Sequence, residues 1–160
     1  MKTDNLKGVA VISRDEGTKL GQVEATLFDP LTLQVQALQI GGGEQTFILP
    51  FAAVVAIGTD AIMVQNNQAA QASAKVGALS PLVELDALKK LKVVDAAGTF
   101  VGTVSDIESD PATGVVLSLV IHKGGLLGLG GDTTTIDASA IRGVGAEVIT
   151  VSEIAVATAS

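Results

Sequence analysis

Gly17-Thr-Lys-Leu-Gly-Gln-Val23 and Gly98-Thr-Phe-Val-Gly-Thr-Val104 are one motif written twice, matching at Gly, Thr, Gly and Val with an offset of 81 residues. The offset persists downstream: Asp29-Pro30 falls on Asp110-Pro111, Thr32 on Thr113, Val35 on Val116, Leu38 on Leu119 and Ile40 on Ile121. Ten identities in 24 aligned positions exceed chance, so the chain reads first of all as a tandem repeat. Pro50 to Gly58 then aligns with Asp137 to Gly145, and Asp60-Ala-Ile-Met-Val64 with Glu147-Val-Ile-Thr-Val151, at an offset of 87. The second copy thus carries six extra residues, in the stretch containing Gly124 to Gly131. Upstream, Asp4-Asn-Leu-Lys7 aligns with Asp86-Ala-Leu-Lys89, one residue out of step. These limits give a first copy over residues 1–65, an alanine- and glutamine-rich linker over 66–80, and a second copy over 81–160.

Inside each copy the apolar runs are short, β-branched and punctuated by turn residues, which predicts an all-β fold: two small antiparallel β-barrels in tandem, with short helical turns. The first copy predicts strands at Val9–Ser13, Leu20–Phe28, Leu33–Ile40, Thr46–Pro50 and Ala61–Gln65. The second predicts them at Leu91–Val94, Val101–Ser109, Val115–His122, Thr133–Ile136 and Val148–Val151. Asp29-Pro30 and Asp110-Pro111 mark turns, because proline presets φ and the aspartate bonds back to the backbone; Gly17 and Gly98 supply tight hairpins. Ala52–Ile57 and Ser139–Val144 read as single helical turns. Val115 to Ile121 leaves too little polar surface for a strand with one wet face, which predicts cover on both sides, from the other barrel.

Composition excludes several function classes. Of 160 residues, 10 are basic and 17 acidic, a net charge of −7, and the chain has four phenylalanines but no tryptophan or tyrosine. It lacks the phosphate-neutralising surface and stacking platforms that direct nucleic-acid contact requires. With no cysteine, disulfides, thiolate metal sites and cysteine nucleophiles are all excluded. The longest apolar stretch, Phe47 to Gly58, is interrupted by Pro50 and falls short of the roughly 20 residues of a spanning helix, so no membrane insertion is expected. The polar start of the chain has no export-signal pattern, and the cytoplasm is the expected compartment.

Candidate chemistry is sparse. His122 is the single histidine, so any Ser/His/Asp triad would have to be built on it; the alternative is an exposed residue at a strand end. Asp106, Glu108 and Asp110 stand two apart, but a calcium loop fails on spacing, because Pro111 occupies the glycine position and Leu117 the bidentate glutamate position. A turn role for Asp110 and solvation for Asp106 and Glu108 are expected instead, with a weak divalent-cation site as the lesser alternative. Gly124-Gly-Leu-Leu-Gly-Leu-Gly-Gly131 is no phosphate loop, since no lysine follows and the next residues read as a strand. Its leucines, Leu126, Leu127 and Leu129, either fold back over the barrel mouth or form a partner-binding surface. No catalytic, cofactor-binding or metal-ligating residue is assigned.

Leu6-Lys7-Gly8, Gly17-x-x-x-Gly21-x-Val23, Asp29-Pro30 and Phe47-Ile-Leu-Pro50 with Ile57-Gly58 resemble a PRC-barrel domain. The second copy resembles it more closely, through Val93-Val94-Asp95, Gly98-x-x-x-Gly102-x-Val104-x-Asp106, Asp110-Pro111-x-Thr113-Gly114 and the Gly124 to Gly130 run. This SH3-like barrel occurs in the cytoplasmic part of the photosynthetic reaction-centre H subunit and at the C-terminus of the ribosome-maturation protein RimM. The resemblance implies a non-enzymatic scaffold or protein-binding module, acting on a protein partner or by self-association as a homo-oligomer, with no cofactor. The chain shows neither the H subunit's membrane anchor nor RimM's RNA-associated domain, so neither role transfers whole. Two readings stand beside the scaffold: a ribosome-maturation accessory docking on a ribosomal protein, and, more weakly, a small-molecule enzyme using the cleft between barrels.

Overall fold

The glycines of the repeated motif set the first hairpin of each copy. In a computed structural model, which describes residues 1–42, 46–69, 71–72, 82–124 and 131–152, strand β1 (Ala10–Ser13) turns through Gly17, at φ 67°, into the ten-residue β2 (Lys19–Phe28). β3 (Val35–Gly41) and β4 (Phe47–Pro50) extend the antiparallel sheet, and Phe51–Ala53 forms one 3-10 turn before β5 (Val54–Ile57) and β6 (Ala61–Val64). β6 returns to lie parallel to β1, so the sheet runs β5-β6-β1-β2-β3-β4. Its two ends, β4 and β5, are consecutive in the chain and only three residues apart, which forces the sheet to curl on itself. The parallel pair is the one departure from an antiparallel barrel; the rest of the copy serves as the long crossover such a pair needs.

β7 (Gln71–Ala72) adds to the outer edge of β4, and β8 (Val83–Glu84) leads into the single-turn α1 (Leu85–Leu88). The linker stretch is thus partly a strand, and residues 73–81 lie outside the described residues. The second copy then repeats the first: β9 (Lys92–Asp95), β10 (Phe100–Ser109), β11 (Val116–Gly124), β12 (Gly131–Asp137), a 3-10 turn at Ala138–Ala140, β13 (Ile141–Val144) and β14 (Val148–Val151). Its sheet order, β12-β11-β10-β9-β14-β13, is that of copy one, with β14 parallel to β9.

The repeat extends to irregularities. The β2–β3 ladder skips Glu24, and the β10–β11 ladder skips Ser105, 81 residues later. Both bulges turn the second half of a long strand and let it serve two neighbours. At Gly102, φ is 149° and a Cβ would stand 2.6 Å from the carbonyl oxygen of His122; Gly21 meets β3 in the same way. The second glycine of the motif is therefore fixed by close approach of two backbones.

Two expectations are corrected. The helical turns expected at Ala52–Ile57 and Ser139–Val144 are only three residues long, and Val54–Ile57 and Ile141–Val144 are strands, because their β-branched side chains pair with β6 and β14. Cover of Val115 to Ile121 is also incomplete. Leu119, Val120 and Ile121 are buried, whereas Val115 and Leu117 are nearly half exposed, Leu117 at the bulge opposite Glu108 and Ser109.

Candidate functional site at the junction of the two copies

β1 is four residues and β2 ten, so the far half of β2 has an unpaired edge on the β1 side. An open edge costs backbone hydrogen bonds or invites another chain. Here the second copy fills it: Val83 and Glu84 pair antiparallel with Phe28 and Leu27. The first copy returns the contact. Lys2 bridges to Glu108 on the matching half of β10, and Ser109 exchanges backbone hydrogen bonds with Met1, the Ser109 N–H donating to the Met1 carbonyl at 2.8 Å. The segment before the first strand of each copy thus docks on the second strand of the other, which is a pseudo-twofold arrangement and not a translation.

Behind those bridges each segment makes one helical turn that sends apolar side chains inward, Leu6 from Thr3–Leu6 and Leu85 and Leu88 from α1. The aligned Asp4/Lys7 and Asp86/Lys89 now acquire a purpose: Lys89 pairs with Asp4 at 2.7 Å and Lys7 with Asp86 at 3.5 Å, reciprocally across the axis. Both pairs are solvent-accessible, so they orient the segments more than they stabilise them.

Asp106 departs from the symmetry. Its Oδ1 accepts from the Thr3 hydroxyl at 3.2 Å, the Asp4 N–H at 3.0 Å and the Ile107 N–H at 2.7 Å, and the residue is buried. The expected solvation of Asp106 is therefore wrong, and that of Glu108 holds only in part, since its side chain is 33% exposed. Both lie under the first copy's opening segment, Glu108 accepting from the Met1 amino group at 2.8 Å. The turn role of Asp110 holds: its Oδ1 accepts from the Ala112 N–H at 2.8 Å, as Asp29 Oδ1 does from Leu31 at 2.7 Å. These turns also touch across the junction, where the Val35 N–H donates to the Gly114 carbonyl at 2.9 Å. Gly114 leaves room for the ring of Phe51, 3.1 Å from where a Cβ would stand.

Docking the turn of one copy against the helical turn of the other creates a groove of about 330 Å³. Pro30 and Leu31 come from the first copy; Val83, Ala87, Leu88 and Leu91, with Val144 to Ala146 of the β13–β14 turn, come from the second. Leu31 stands at its rim 82% exposed. A second depression of about 610 Å³ shares Ala87, Leu91 and Ala146 and is bordered by Lys90, Lys92 and Glu147. No sequence signal marked Leu31 or Ala87, since the groove exists only where the copies meet.

None of the other described candidates lines this groove. Leu126, Leu127 and Leu129 lie outside the described residues. His122 is exposed on β11, in register with Thr103 and Thr133. Asp137 accepts from the Ser139 backbone N–H at 2.9 Å, and that bond, with the Ser139 hydroxyl, holds its carboxyl below the usual aspartate range. Among the described residues no three His, Asp or Glu side chains gather as a metal-binding set, and no helix is long and apolar enough to cross a membrane.

No curated protein matches the chain. The PRC-barrel domain model matches residues 1–71 and again residues 82–156, the two units that carry equivalent sheets and exchange their opening segments. The chain belongs to the PRC-barrel domain family, as a tandem of two barrels.

Proposed function

We propose that the protein is a non-enzymatic docking or scaffold module of the cytoplasm. The observation that carries the proposal is the composite apolar groove: residues of both copies build it, and Leu31 stands 82% exposed at its rim. Monomers seldom leave apolar surface gathered in this way without a partner to cover it. Leu126, Leu127 and Leu129 are proposed as a second contact. Copy one passes from Ile40 through Gly41-Gly-Gly-Glu-Gln-Thr46 to its next strand without the added residues, so they serve a contact better than closure of the fold.

Co-purification from the native host, with ribosomes and membranes separated, tests the reading. The expected result is a retained protein partner or self-association that the triple serine variant of Leu126, Leu127 and Leu129 loses while keeping its strand content. Burial of a leucine is worth about 1.5–3 kcal/mol, so three losses weaken an interface strongly. Recovery on assembling ribosomal particles would replace this reading with the ribosome-maturation one.

A further inference from the structure

The two copies are related by a pseudo-twofold axis, so each groove residue has a counterpart position on the other side of the junction, and the sequence shows how far the two sets have diverged. Where the groove has Leu31 and Ala87, the counterpart positions are Ala112 and Asn5. Where the adjoining depression has Lys90 and Lys92, the counterpart positions are Gly8 and Ala10. One side is therefore apolar and bordered by two lysines beside Glu147, whereas the other copy keeps the matching carboxylate, Asp60, without the lysines and without the leucine. The fold needs neither pattern, since both copies adopt the same strands with either set of residues.

We propose that this groove takes an acidic, apolar-faced segment of a partner protein. The proposal rests on the docking-module reading and assigns the partner's chemistry. Charge complementarity selects the acidic segment. On a chain of net charge −7, Lys90 and Lys92 border the depression that adjoins the groove, next to Glu147, and among the described residues neither lysine enters an ion pair. Carboxylates placed beside the partner's apolar side chains meet both lysines, and the same two positive groups repel a basic segment at this place. A protein segment fits better than a lipid chain because the apolar surface both recedes and protrudes. Leu88 and Leu91 form the floor, and Leu31 stands outward at the rim, where only a partner with its own depression buries it.

Selection from a random displayed-peptide library on the immobilised full chain tests the assignment. The expected enrichment is of peptides with two or more apolar residues flanked by Asp or Glu. Binding of the best of these weakens at least tenfold in Leu31→Ser, at least fivefold in the Lys90→Glu/Lys92→Glu double variant, and with added salt. Leu31, Lys90 and Lys92 are all exposed, so the variants keep the wild-type melt, and far-ultraviolet circular dichroism checks it. Enrichment of basic or uncharged peptides, or binding unchanged in both variants, overturns the proposal. So does a concentration-dependent dimer of the wild-type chain that Leu31→Ser abolishes, because a second copy is then the occupant. If a native partner is retained by both groove variants but released by the Leu126, Leu127 and Leu129 serine variant, the docking-module reading stands and this proposal falls.

Discussion

Gly98 and Gly102 stand four positions apart in one motif and are glycine for different reasons. Gly98 has φ 85°, and a Cβ placed on it would meet nothing within 4 Å, so alanine there meets only the intrinsic cost of the left-handed region. That cost is about 1–2 kcal/mol. Gly102 adds a backbone obstacle, the His122 carbonyl at 2.6 Å, which cannot yield without parting β10 from β11. Gly102→Ala is therefore expected to destabilise by more than about 3 kcal/mol, combining backbone strain with overpacking. Urea denaturation of the two alanine variants reads the difference directly; equal losses would mean that cross-strand approach is not what fixes the second glycine. The motif itself was visible in the sequence, as were the Asp29 and Asp110 turns, because their chemistry is confined to a few neighbouring residues.

At the scale of elements, the exchanged opening segments hang on few polar contacts, and Asp106 gathers the most of them. Removing its carboxylate leaves the Thr3 hydroxyl and the Asp4 N–H without their acceptor in a buried place. Asp106→Ala is expected to cost about 1–3 kcal/mol, the penalty for buried donors left unmade, whereas Asp106→Asn keeps an oxygen at the same position and costs less than about 1 kcal/mol. Amide hydrogen exchange at Asp4 should accelerate in the alanine variant only; protection unchanged in both would place the segment's anchoring elsewhere. This part of the molecule was not legible beforehand. A carboxylate on an alternating strand reads as solvent-facing, and nothing local to Asp106 shows that a segment a hundred residues earlier lies over it. Asp4 and Lys7 were aligned with Asp86 and Lys89, yet the reason for the match, salt bridges running between the copies, exists only after docking. The strands at Val54–Ile57 and Ile141–Val144 were missed for a related reason: their partner β6 or β14 follows only after a further turn, and the preceding 3-10 turn masks the change of period.

For the whole molecule, the repeat fixed two barrels but left their relation open, since a translation and a twofold write the same sequence. The exchange of segments decides it, and it joins the two cores: Leu6, Leu85 and Leu88 belong to one buried cluster with Val11, Val93 and Ile149. It also creates the groove at Leu31, which neither barrel has alone. The two copies thus fold and act as one body, and differential scanning calorimetry of the full chain reads whether they do. A single two-state transition is expected, with the van't Hoff enthalpy equal to the calorimetric one. Two separable transitions, each with about half the enthalpy, would show barrels that fold independently, with no cooperative junction between them.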